Sequence, residues 1–133
     1  MDYVDVSEFA KDLEFGTFGC PVRIDVRVWN ECVRWTENDN QTQIYQEQDN
    51  RLLDILYVAG ATLYLNPNEI REKGWVSFQV HCIPRDGKST EARHVGFRIE
   101  PEIMDGAPGL IVRYDNLAMS FEKSGGGDLG LVG

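Results

Sequence analysis

Residues 75–100 read WVSFQVHCIPRDGKSTEARHVGFRIE. Val76, Phe78 and Val80 alternate with Ser77, Gln79 and His81, and Val95, Phe97 and Ile99 alternate with His94, Gly96 and Arg98. Period-2 alternation is the pattern of strands with one buried face. The intervening Pro84-Arg85-Asp86-Gly87-Lys88-Ser89 is rich in turn formers. With Gly87-Lys88 as the turn, Val76 faces Ile99, Phe78 faces Phe97, Val80 faces Val95 and His81 faces His94. A turn at Asp86-Gly87 shifts the pairing by two and keeps the same side chains on the same face. The hairpin argues for an antiparallel sheet.

Upstream of it, Leu52 to Val58 and Ala61 to Leu65 flank Ala59-Gly60 and read as two buried strands joined by a tight hairpin. Asn66-Pro67-Asn68 starts a short helical turn that runs through Lys73 and stops at Gly74. Val22, Ile24, Val26 and Val28 alternate with Arg23, Asp25 and Arg27, the signature of a strand with one wet face that continues through Trp29 to Trp35. Residues 37–50, ENDNQTQIYQEQDN, are half Asn or Gln. They read as a hairpin tip at Asn38 to Asn40 followed by a polar edge strand, with a mobile loop as the alternative. Val6, Phe9, Ala10 and Leu13 share one helical stripe and predict a helix over 6–15, with Asp5 and Glu8 in a capping box and Gly16 as its stop.

Downstream, Pro101, Gly106, Pro108 and Gly109 predict a loop, and Leu110–Tyr114 and Leu117–Glu122 two last strands around Asp115-Asn116. Together these elements predict a mainly β fold, an antiparallel β-sandwich or partly open barrel of about seven or eight strands with one N-terminal α-helix; α+β is the alternative. Residues 1–123 form a single domain, and 124–133, SGGGDLGLVG, a flexible Gly-rich tail.

A chain of 133 residues, 42% of them hydrophobic, can bury a core without a metal or disulfide staple. Its net charge of -9 argues against direct nucleic-acid binding, because phosphate is recognised by a cationic footprint. The apolar stretch from Leu52 to Leu65 is interrupted by Asp54 and Gly60 and is too short for a bilayer. No basic, then apolar, leader is visible at the start. Cys20, Cys32 and Cys82 lie far apart with no C-x-x-C spacing. The expectation is a soluble, cytoplasmic protein with reduced thiols; a Cys20–Cys32 disulfide is the alternative.

Motifs for chemistry are sparse. His81 and His94, facing each other on the wet side of the hairpin, are the metal candidates, but a zinc site needs further ligands and only Glu91 is near. Two solvated polar side chains are the simpler reading, and no cofactor or metal is expected. Residues 37–48 make a poor calcium loop, with Thr42 in the position that requires Gly and Gln48 in place of the bidentate Glu. Gly125, Gly127 and Gly130 have dinucleotide-motif spacing but only three residues after them. Cys82 follows His81 on a strand, so the two point to opposite faces and Cys82 belongs to the core. Glu100, Glu102 and Asp105 beside the Pro/Gly loop are the only acid/base candidates, and an enzyme is the least supported class. Arg23, Arg27, Arg93, Arg98 and Arg113, all within predicted strands, make an anion-binding face only where they converge.

Charge distribution is more informative. Residues 1–54 carry 12 acids and 5 bases, and residues 55–133 carry 10 and 8. Acids beside aromatic residues suit steering and anchoring of a basic partner. The leading expectation is therefore a non-enzymatic acidic interaction module, of the inhibitor or immunity type, that masks a basic protein through Trp35, Glu37, Asp39, Tyr45, Glu47 and Asp49. A small-ligand-binding barrel or sandwich, its cavity lined by Trp75, Phe78, Phe97 and Tyr114, is the alternative. A homo-oligomer is compatible with either.

Overall fold

The hairpin read from residues 75–100 anchors the sheet in the computed structural model, which describes residues 2–11, 13 and 19–115. Strand β3 (Val76–Cys82) pairs with β4 (Arg93–Met104) in the expected register, from Val76 opposite Ile99 to His81 opposite His94. The connection is longer than a two-residue turn and runs from Ile83 to Ala92. Asp86 shapes it by accepting hydrogen bonds from the backbone N–H of Lys88 (3.0 Å) and Ser89 (2.7 Å).

The stretch from Pro101 to Gly109 is not a loop. β4 runs straight through Pro101 to Met104, turns at Asp105-Gly106 and returns as β5 (Ala107–Tyr114). Both turn residues have positive φ, 51° and 82°, the two-residue hairpin geometry that an Asp-Gly pair adopts readily. Gly109 is fixed by crowding, since a Cβ there would meet the Met104 side chain and the Pro21 carbonyl.

β1 (Tyr3–Asp5) lies antiparallel on β2 (Val22–Asp25), and β2 lies parallel to β5. The result is one open, mixed, five-stranded sheet in the order β1-β2-β5-β4-β3. This overturns the expected sandwich or barrel: the fold is α+β, because three stretches read as strands are helical. Where a continuing strand was expected, Asp25 ends β2 by accepting from the Arg27 N–H at 2.8 Å and caps helix α2 (Val26–Val28), which runs into a π-helical turn at Trp29–Val33. The expected hairpin tip at Asn38 is helix α3 (Glu37–Thr42), started by a reciprocal capping box between Thr36 and Asp39. The expected hairpin around Ala59-Gly60 is the middle of one 18-residue helix, α4 (Gln48–Leu65). Its buried residues Leu52, Ile55, Leu56, Ala59 and Gly60 fall at i, i+3, i+4, i+7 and i+8.

Two short helices complete the layer. α1 (Ser7–Ala10) follows β1, and α5 (Glu69–Lys73) ends at Gly74 with φ 91°, the expected stop. The predicted helix over 6–15 extends past the described residues, as do the predicted strand Leu117–Glu122 and the tail 124–133.

The core lies between one face of the sheet and α4 with the π-helical turn. Val22, Ile24, Val76, Ile99 and Val112 are completely buried in it. Phe97 sits at its centre, stacked on Tyr114 with ring centroids 5.7 Å apart and tilted against Phe78 at 5.5 Å. Trp75 packs under the Arg98 guanidinium, which lies 4.1 Å from its ring centroid. No helix among the described residues is long and apolar enough to cross a membrane.

Candidate functional site

The stretch from Trp35 through helix α3 to the first turn of α4 gathers the six residues expected to bind a partner, and the structure divides them into two groups. Trp35 and Asp39 are buried. The Trp35 indole N–H donates to Asn40 Oδ1 at 2.8 Å, and its ring lies 4.4 Å below the Arg51 guanidinium. Asp39 Oδ2 accepts from the Thr36 N–H (2.7 Å) and from Arg85 Nε (2.8 Å). Both residues hold the surface together from behind. Glu37, Tyr45, Glu47 and Asp49 are exposed, with Tyr45 donating its hydroxyl hydrogen to Glu47 Oε2 at 2.7 Å.

The helical geometry of α4 adds residues that a strand reading had hidden. Asp49, Leu53 and Tyr57 are exposed at i, i+4 and i+8 and so form one line along the helix, with Asp54 beside it. Ile44 and Tyr45, 42% and 69% exposed, continue the apolar component at the head of that line. Beside them, an open groove of about 520 Å³ is lined by Asp54, Tyr57 and Val58 of α4, by Gln79, Val80 and His81 of β3, and by His94.

Asp39 makes an acid-dependent brace. Burial acts to raise its carboxyl, but the hydrogen bonds from Thr36 and Arg85 outweigh burial and hold it below the ordinary aspartate value. A carboxylate with a depressed folded-state pKa stabilises the fold fully above its unfolded value near 4, and that contribution drains away as pH falls through the lower folded value. We expect Asp39→Asn to reduce unfolding free energy by about 2 kcal/mol at neutral pH through the loss of charge-assisted hydrogen bonds. The difference from wild type should narrow below about pH 4 in urea titrations. A gap that stayed constant from neutral pH to pH 2 would assign the brace to shape alone.

His81 and His94 do face each other, with Nε2 atoms 2.7 Å apart. That is a hydrogen bond, and it is shorter than the roughly 3.4 Å that separates two nitrogens on a tetrahedral zinc. Among the described residues no group of three metal-binding side chains surrounds them. Three of the strand arginines also converge, on the sheet face away from α4, but each meets carboxylates. Arg113 reaches Glu102 (3.2 Å), Glu100 (3.5 Å) and Asp25 (3.7 Å), Arg98 reaches Asp115 (3.4 Å), and Arg23 reaches Asp105 (3.7 Å). The lattice neutralises itself. It offers no surplus positive charge to an anion, and Glu100 and Glu102 are engaged there as Arg113 partners.

Sequence reading overlooked Arg51. It is 6% exposed, and its guanidinium donates to the carbonyls of Glu31 (3.2 Å), Val33 (3.1 Å) and Ile83 (3.1 Å) and to Gln46 Oε1. One side chain therefore ties α4 to the π-helical turn and to the end of β3. The available signal was a lone basic residue on the apolar face of a helical repeat, visible only once 48–65 is read as a helix.

No protein-family model matches the chain, and neither a curated protein nor a solved structure matches it.

Proposed function

We propose that the protein is a non-enzymatic interaction module that binds and masks a basic partner protein through the exposed face of α3 and α4. One observation carries this reading: from Trp35 to Ile70 the single basic residue is Arg51, and it is buried. The exposed Glu37, Glu47, Asp49 and Asp54 thus surround Ile44, Tyr45, Leu53 and Tyr57 without any local compensating cation from that stretch. Aromatic and aliphatic anchors ringed by one sign of charge give both an electrostatically steered encounter and a desolvated centre. A second copy of this chain would present the same sign, so the face suits a basic partner better than itself. An inhibitor or immunity-type role is the specific form of this reading, and its free thiols fit a cytoplasmic setting.

The test is affinity capture with the full chain, followed by association kinetics with the captured protein. Changing Glu37, Glu47 and Asp49 together to Lys should slow association by at least about tenfold at low salt and weaken its salt dependence. Leu53→Ala with Tyr57→Ala should act mainly on dissociation. A charge-reversed protein that binds as fast and as tightly as wild type would end the proposal.

A further inference from the structure

Cys32 and Cys82 are separated by most of the helical layer in sequence and are buried side by side in the structure. Cys32 belongs to the π-helical turn and Cys82 is the last residue of β3. The two thiols interact with each other, and Cys32 Sγ lies 3.4 Å from the Tyr114 hydroxyl. Arg51 fixes the pair from the backbone side, because the carbonyls it holds flank Cys32 at Glu31 and Val33 and follow Cys82 at Ile83. Its hydrogen-bond acceptors are all neutral oxygens, so its charge remains available to a nearby thiolate. Both cysteines line a cavity of about 100 Å³, together with the exposed Asp54, His81 and Ala92. A space of that size holds a few water-sized molecules and excludes a peptide-sized disulfide.

We propose that Cys32 and Cys82 are a peroxide-oxidised dithiol, with Cys82 as the attacking sulfur and Cys32 as the resolving one. The Cys82 thiolate attacks one oxygen of hydrogen peroxide and the O–O bond breaks, leaving Cys82 as a sulfenic acid while the departing hydroxide takes up a proton to become water. The Cys32 sulfur then attacks the Cys82 sulfur, the S–O bond breaks, and a second water leaves with the Cys32 proton. Two thiols are oxidised to one disulfide and one peroxide is reduced to two waters. The direction of attack follows from position: Cys82, at the end of β3, keeps 7% of its surface exposed, and Cys32 is completely buried. The interaction with Cys82 holds the Cys32 thiol up, and burial adds to this. Cys82 is held below an ordinary thiol by the same interaction and by Arg51, against burial.

Cys20, partly exposed and outside this cluster, is the internal control. The full chain is treated with one equivalent of hydrogen peroxide, quenched by alkylation and mapped by mass spectrometry. The expected product has lost two hydrogens, carries a Cys32–Cys82 cross-linked peptide pair and keeps Cys20 alkylatable. Cys82 should react at least about tenfold faster than Cys20 despite being less accessible. In Cys32→Ser, a dione trap should label Cys82 as sulfenic acid. Wild-type protein in which Cys20 reacts first, or in which no Cys32–Cys82 cross-link forms, would overturn the proposal without any variant. Equal cross-linking by peroxide and by glutathione disulfide would overturn the assignment of the oxidant.

Discussion

Replacing Arg51 by Met is expected to lower the free energy of unfolding by about 3 kcal/mol. Met retains most of the aliphatic volume over Trp35 and removes every donor. Three carbonyls, those of Glu31, Val33 and Ile83, then lose their partner in a largely buried setting. Hydrogen bonds from a charged donor contribute roughly 1.5–3 kcal/mol each. Keeping a guanidinium away from water opposes them by several kcal/mol. The bonds prevail by a few kcal/mol because the carbonyls stay where they are in the variant, and the Arg51 Nε bond to Val33 is fully buried. Urea denaturation followed by tryptophan fluorescence measures the change. A loss below about 1 kcal/mol would mean that water or a shifted side chain replaces the guanidinium, and that Arg51 does not tie the layers together.

Phe97→Ala should be at least as damaging, by about 4 kcal/mol, within the range for removing a fully buried aromatic side chain. Phe97 is on the central part of β4, with Phe78 across one ladder and Tyr114 across the other, so one truncation removes two ring contacts and opens a cavity in the middle of the core. That is a large share of what a domain of this length has available. The comparison is Ile103→Ala on the same strand, where the side chain is 71% exposed. It should change stability by no more than about 0.5 kcal/mol. Similar losses at the two positions would contradict the core described above.

These two residues also show what could be read from the chain and what could not. Phe97 lies in a strand pair whose alternation is unbroken over six positions, so its partner, its face and its burial were all legible. The Asp105-Gly106 turn was equally available, but two prolines and two glycines around it suggested a loop, whereas β4 continues through Pro101, which pairs with Leu110 of β5. Arg51 was not legible, since its role depends on carbonyls contributed by two distant elements. The helices lie between these extremes. Leu52, Ile55, Leu56, Ala59 and Gly60 have helical spacing, but Ala-Gly in a short apolar run is equally a turn, and only tertiary packing decides. Thr36-x-x-Asp39 was a sound helix-start signal obscured by the amide-rich residues after it. For the candidate site, the acidic surface was legible as composition. The burial of Trp35 and Asp39 and the exposure of Leu53 and Tyr57 required knowing that 48–65 is a helix.

The parallel pairing of β2 with β5 places Val22 beside Leu110, so an early strand and the last described strand meet inside the sheet. During synthesis the β1–β2 ribbon leaves the ribosome long before the strand that completes it. Until β5 follows, Val22 and Ile24 have no neighbour on that side, and the antiparallel β3–β4–β5 meander can assemble without them. Nascent chains halted before residue 107 should therefore retain an unsatisfied ribbon edge at their older end, the stage at which this protein would be most exposed to misassembly or to capture by a chaperone.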